Sequence, residues 1–351
     1  MSVSSATLAS TSKGARPLYS TAFSCPACRT EIGRLDGASE HDLRCPGCSF
    51  VIREGNGIVR ALRPGREAYF RQFVKQYETV RMREGRGSSS ADFYAALPFR
   101  DLTGKNTWEW NIRGRTFVHA LKHIFPPIEA THPQGCDVLD IGAGNCWMSY
   151  QMAKRGHRPV AVDLLDNETD GLGAARFYSA HLRQPFLTVQ AEMDYLPFNS
   201  AQFDMVFFNA SFHYSVDYER TVAEALRCLR RPGHLIILDS PFYRGELSGP
   251  KMIEEKRSTF EKRYGFRSDS IPSREYLTRP MLDDLAANFG LRWKTLKPWY
   301  GFNWALRPMK AYVSGKREPS KFYLFWAQVQ RSGSRDRMDR AELSTLRSKT
   351  K

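Results

Sequence analysis

The sequence predicts an α/β protein: a parallel sheet covered by helices on both faces, with a small metal-knuckle module ahead of it. Three observations carry this. From residue 135 onward, short apolar runs alternate regularly with amphipathic ones, the pattern of a doubly wound sheet. The first of these runs, "DVLDIGAGNC" (Asp137 to Cys146), breaks into a Gly-x-Gly turn of the kind that opens a nucleotide site. Ahead of it, "CPAC" and "CPGC" space four cysteines as C-x2-C-x16-C-x2-C.

Taken in order, residues 1–21 are rich in Ser, Thr and Ala and read as a disordered tail, with an organelle transit peptide as the alternative. Residues 22–62 hold Cys25, Cys28, Cys45 and Cys48. Two thiolates two residues apart grip one ion from a tight knuckle. Two such knuckles complete a tetrahedral S4 set that suits Zn2+, filled entirely by protein and so structural rather than catalytic. A redox CxxC is the alternative, but that chemistry needs one pair beside a βαβ unit. The remaining cysteines, 136, 146 and 228, are scattered, which is no disulfide framework.

Residues 63–134 read as a helical lead-in or lid, with a Gly-Ser break at 85–90 and with Tyr94, Trp108, Trp110, Arg113 and Arg115 just ahead of the core. An Arg here can pair with a ligand carboxylate; the alternative is aromatic packing with Arg on the wet face. Residues 135–330 read as the core. Strands are expected at 137–142, 159–165, 186–192, 203–211, 234–240, 291–298 and 320–329. Helices are expected at 147–156, 171–182, 218–233 and 276–290, and insertions at 241–275 and 299–319. Residues 331–351 read as a disordered basic tail.

The turn leaves two cofactor classes open. Gly142 and Gly144 let the backbone bend sharply and approach a ligand. Asp163 ends the second strand 21 residues after Gly142, where a carboxylate can accept both ribose hydroxyls. Trp147 stands where a dinucleotide fingerprint has its third glycine, and Asp140 would repel a pyrophosphate. Both disfavour a dinucleotide, and Asp140 suits a cofactor with a cationic amino group and a sulfonium.

At these residues the chain resembles class I S-adenosylmethionine-dependent methyltransferases of the type 11 group, over about residues 135 to 241. "VLDIGAGNC" is similar to the first motif, with Cys146 where Gly is usual; "VAVDLL" to the second; "AEMDYLPFNSAQFDMVFFNASFHY" to the third-to-fourth strand region; and "ALRCLRRPGHLIIL" to the motif after it, with His234 in place of a common second Gly. The resemblance implies a Rossmann-like seven-stranded sheet with an antiparallel last strand and S-adenosylmethionine as cofactor. Asp163 would bind its ribose, and Glu192 and Met193 its adenine. Asp140, Gly142, Gly144 and Asn209 complete the expected site, Asn209 standing at the fourth strand's end. The N-terminal run around "LRCPGCSFVIREGNGIVRAL" resembles the zinc ribbons of large-subunit rRNA guanine methyltransferases and the small zinc-ribbon activator subunit of several RNA and protein methyltransferases.

His213, followed by Tyr214, lies just after the fourth strand, where a general base can reach the methyl acceptor. The favoured reading is a small-molecule methyltransferase. The alternatives are an rRNA or tRNA base methyltransferase, and a ribbon-bearing partner protein that binds the cofactor without turnover. The RNA reading draws on the charge of +15, concentrated in residues 241–351 with 24 basic against 12 acidic side chains. No run is apolar enough to span a bilayer and no secretory signal is visible, so a cytoplasmic location is expected; oligomeric state is not legible. The core is expected to fold on its own residues, so that losing the knuckle residue Cys28 destabilises the ribbon but leaves cofactor binding mostly intact.

Overall fold

The computed structural model describes residues 21–34, 42–245 and 247–330. The tails expected at 1–21 and 331–351 lie, but for Thr21, outside the described residues.

The N-terminal part comprises β1 (Ala22–Ser24), β2 (Glu31–Arg34), β3 (Leu43–Arg44), β4 (Val51–Gly55) and β5 (Ile58–Arg60). Four helices follow: α1 (Arg66–Arg83), α2 (Ala91–Ala96), α3 (Thr107–His123) and α4 (Phe125–Glu129). The core runs β6 (Asp137–Ile141), α5 (Trp147–Lys154), β7 (Arg158–Asp163), a 3-10 helix (Leu172–His181), β8 (Leu187–Gln190), β9 (Phe203–Asn209), a 3-10 turn (Phe212–Tyr214), α6 (Tyr218–Cys228) and β10 (Leu229–Leu238). After it come β11 (Pro241–Tyr243), α7 (Ser248–Tyr264), β12 (Leu277–Thr278), α8 (Arg279–Phe289), β13 (Lys294–Leu296), α9 (Phe302–Ala305), α10 (Arg307–Val313), β14 (Lys321–Phe322) and β15 (Leu324–Val329).

The main sheet has the order β13-β15-β10-β9-β6-β7-β8-β5-β4-β3. Its first seven members are the expected sheet, Rossmann-like, with β15 antiparallel between β10 and β13. Chain order reverses between β6 and β9, so the carboxyl ends of these strands open a crevice at a topological switch point. Side chains alternate between two apolar layers. Val206 and Phe208 enter one, while Met205 and Phe207 enter the other.

The sheet continues beyond the expected seven strands. β5 pairs in parallel with β8, matching Ile58 to Thr188 and Arg60 to Gln190, and β4 and β3 extend it antiparallel. Phe23, Ile52 and Val59 share the first apolar layer with the core. The cysteine module is therefore joined to the core through a sheet and a common interior.

Two expected elements differ. The helix predicted over 218–233 stops at Cys228, and Leu229 already pairs as a strand with Phe203. Pro232 biases Arg231 toward extended geometry, which carries the strand back into the Pro-Gly run. The helix predicted over 171–182 is a 3-10 helix, its start pressed against the 165–168 backbone at Gly171 and Gly173.

Candidate active site

Four carboxyl-terminal strand ends meet at the crevice. The turn after β6 supplies Gly142 and Gly144, β7 ends in Asp163, Glu192 and Met193 follow β8, and Asn209 ends β9. All six line one cleft with about 1020 Å3 of empty space, its open mouth included.

The glycines have separate jobs. Gly142 has φ 75°, and a Cβ there would run into the Ser211 side chain, so the close approach it permits is to the loop after β9. Gly144 has φ 52° and donates its N–H to Asp163 Oδ2 at 2.7 Å. Asp163 Oδ1 accepts from the Leu165 N–H at 2.9 Å. Two backbone donors thus fix the carboxylate while lone pairs remain for a ligand. Burial raises the Asp163 pKa, and these bonds pull against it.

Glu192 is 3% exposed and accepts from Arg63 Nη2 at 3.0 Å and Arg66 Nε at 2.8 Å. Both arginines lie just beyond β5. Arg63 also stacks 3.2 Å from the Tyr195 ring centroid, with Arg220 over the same ring at 3.7 Å. Asn209 is buried with its Oδ1 unpartnered, a carbonyl that a donor in the cleft would satisfy.

Asp140 is not among the lining residues. It is fully buried beneath the turn, its Oδ2 accepting from Ser149 Oγ at 2.8 Å, and burial pushes its pKa up to about 7. The base expected at His213 does not line the cleft either. Its Nδ1 lies 3.2 Å from Ser240 Oγ, and burial depresses its pKa to about 3. Its neighbour Tyr214 occupies the wall instead.

Sequence reasoning missed the wall built by α1. Phe70, Phe73, Tyr77 and Arg81 all face the cleft. Their spacing of three, four and four residues is one helical stripe, a signal present in the sequence. Phe73, Tyr77 and Tyr214 form an aromatic cluster with centroids 5.7–6.1 Å apart. Arg81 is held by both oxygens of Asp170, Nη2 to Oδ1 at 2.8 Å. Of the two arginines expected on α3, Arg113 lines the cleft and has no acidic partner within ion-pair distance among the described residues. Arg115 is exposed on the outer face.

Cys146 has φ 64°, the left-handed region, which is why glycine suits that position. The thiol is fully buried. His234 accepts the Trp326 indole N–H at 3.1 Å, joining β10 to β15.

The four knuckle cysteines converge. Their sulfurs all lie within 4.8 Å of one another, with Cys25–Cys48 and Cys28–Cys45 at 3.5 Å. That is far beyond a disulfide bond and close to the roughly 3.8 Å edge of a ZnS4 tetrahedron. Each knuckle repeats the same backbone: Cys25 O accepts from Arg29 N and Cys45 O from Ser49 N, and both Arg29 and Ser49 have positive φ.

Part of this chain is similar to known proteins. Residues 139–237 match the methyltransferase domain family. The matched stretch runs from β6 to β10 and contains Gly142, Gly144, Asp163, Glu192, Met193 and Asn209. Curated relatives include a dimethylglycine N-methyltransferase of Parasynechococcus marenigrum, 29% identical over 123 residues, covering 35% of this chain and 42% of that protein. Another is a ubiquinone/menaquinone biosynthesis C-methyltransferase of Rhizobium etli, 27% identical over 117 residues, covering 32% and 45%. The chain spans less than half the length of these relatives. Among solved structures, a Burkholderia thailandensis 1,6-didemethyltoxoflavin-N1-methyltransferase aligns at 16% identity with a TM-score of 0.43, covering 70% of this chain and 92% of that one. No helix among the described residues is long and apolar enough to cross a membrane.

Proposed function

We propose that this chain transfers a methyl group from S-adenosylmethionine to a small-molecule acceptor. The observation that carries the reading is Asp163, whose carboxylate is fixed by two backbone amides at the mouth of the first-strand turn. The cleft fits the cofactor part by part. Asp163 offers acceptors for ribose hydroxyls, Glu192 an acceptor for an adenine amino group beside Met193, and Asn209 an unpartnered carbonyl. Arg113 offers a guanidinium for a carboxylate.

When bound, the cofactor supplies a methyl group already activated by its sulfonium. What the protein adds is alignment of the acceptor and exclusion of water, which α1 performs with Phe70, Phe73 and Tyr77. We assign no general base. His213 stays neutral at neutral pH, yet a site with so low a pKa is a weak proton acceptor. An aromatic wall of this size suits an organic small molecule, in keeping with the names of both curated relatives. The four converging cysteines would hold one structural Zn2+.

The test is calorimetry with S-adenosylhomocysteine on the wild type and on Asp163→Ala. Loss of the charge-assisted bonds is expected to weaken binding by about 2–3 kcal/mol. Unchanged affinity in the variant removes Asp163 from the site. Labelling a cell extract with radioactive methyl donor, then separating small molecules, protein and RNA, reads the acceptor class; label confined to RNA overturns the small-molecule reading.

A further inference from the structure

The insertion at 299–319 forms an unusual surface. Neither α9 nor α10 buries a single side chain. Phe302 is 79% exposed, Tyr312 87%, Val313 80% and Met309 57%. The surface is continuous with the outer face of α3. Trp299, itself 59% exposed, lies in a groove with Phe99 and Val118, and packs edge-on to Phe302 at 5.3 Å. Trp108 meets Trp304 at 5.8 Å on the same side. A soluble domain rarely exposes this much contiguous apolar surface without a use for it.

The charge along the insertion itself has one sign. Residues 285–317 contain seven basic side chains and no acidic one. Lys297, Lys310 and Lys316 are exposed and make no ion pair among the described residues. Aromatic and aliphatic side chains ringed by free lysines are the composition of an element that lies in a headgroup interface. There the apolar groups enter the acyl boundary and the ammonium groups stay among phosphates.

We propose that α9, α10 and the outer face of α3 form a docking surface for an anionic lipid bilayer. Charge argues against the other occupants. A second copy would set the same basic face against itself. The 331–351 segment, with seven basic and three acidic residues, would also be repelled. RNA would meet the lysines, but it offers nothing to Leu306, Met309 and Val313, which are all exposed. The bilayer satisfies both halves of the surface. The same helix that presents Trp108 and Val118 outward delivers Arg113 to the cleft. Docking therefore holds the catalytic unit at the membrane without inserting it.

The experiment is co-sedimentation of the full chain with phosphatidylcholine vesicles and with vesicles containing phosphatidylglycerol. Saturable binding to the second kind alone is expected, with a blue shift of tryptophan emission. Phe302→Ser with Tyr312→Ser should weaken it tenfold or more. Lys310→Glu with Lys316→Glu should weaken it by at least about fivefold per residue. Both variants alter exposed positions, and both should keep wild-type affinity for S-adenosylhomocysteine, which separates this proposal from the methyltransferase reading. The proposal is overturned by absence of vesicle binding, by variants that bind as the wild type does, by a concentration-dependent dimer that Phe302→Ser dissolves, or by RNA binding that the lysine variant abolishes while vesicles have no effect.

Discussion

At the scale of single residues, His213 shows how position and chemistry part company. It follows β9, as its place in the sequence predicts, but its ring is enclosed and hydrogen-bonded to Ser240, and its folded pKa sits near 3 against about 6.5 unfolded. A depressed folded pKa contributes stability that is fully present above the unfolded value and is lost as pH falls through the folded one. His213→Gln keeps a polar side chain that cannot be protonated. It should therefore flatten the loss of stability between about pH 6.5 and 3, a few kcal/mol at most. Methyl transfer should keep its pH profile with only a modest change in rate. A drop in turnover of about 10²-fold or more, with a lost ionisation, would restore His213 as the base. The sequence revealed Asp163 because a carboxylate at a strand end after a glycine turn has few other uses. It did not reveal that Asp140 lies beneath the turn, because a strand's alternation says which face a side chain takes, not what it meets there.

At the scale of elements, the seven core strands were legible because buried parallel strands are short, apolar and bounded by turns. Helix ends were less so: α6 yields to β10 at Leu229 through pairing with Phe203, a partner 26 residues away in sequence. The stripe on α1 was readable but lay in a segment whose partner surface is folded from elsewhere. The link from β5 to α1 is where element and site meet, since Arg63 and Arg66 neutralise Glu192 from there. Arg63→Ala with Arg66→Ala leaves a buried carboxylate unpaired. We expect it to cost about 2 kcal/mol of stability, less than for a fully buried pair because both guanidiniums are a fifth to a quarter exposed. Affinity for S-adenosylhomocysteine should fall with it, and adding Glu192→Gln should recover most of the stability. Denaturant midpoints and calorimetry on the three proteins check this; identical midpoints for wild type and double variant would reject it.

At the scale of the whole molecule, the cysteine module and the core share a sheet, an interior and a set of hydrogen bonds. Ser24 Oγ donates to Phe198 O at 2.7 Å, and Arg29 bonds Leu196 O at 3.1 Å and Glu224 at 2.8 Å. The first two hold the 196–198 loop that follows Glu192 and Met193, and Glu224, on α6, accepts the Leu196 N–H at 2.9 Å. The expectation that knuckle loss spares the cofactor site rested on an independent core, and these links work against it. If the four cysteines hold the proposed Zn2+, chelating it, like Cys28→Ser, should lower the melting temperature by several degrees and weaken S-adenosylhomocysteine binding together. A melting temperature that falls while affinity stays fixed would confine the module to a local role.

The pairing of β5 with β8 carries one more consequence, for solubility. Without β5, β8 becomes the sheet margin: it keeps its pairing with β7, but its other edge is bare along a strand carrying buried Leu187 and Val189. Such a margin is a template for foreign strands. A chain trimmed to begin at residue 63 would keep every group that lines the cleft and would still gain a tendency to self-associate. Light scattering should find it clustering in proportion to concentration, while the full chain stays dispersed. β5 and the strands beyond it thus act as a selvedge, finishing a fabric that would otherwise fray into its neighbours.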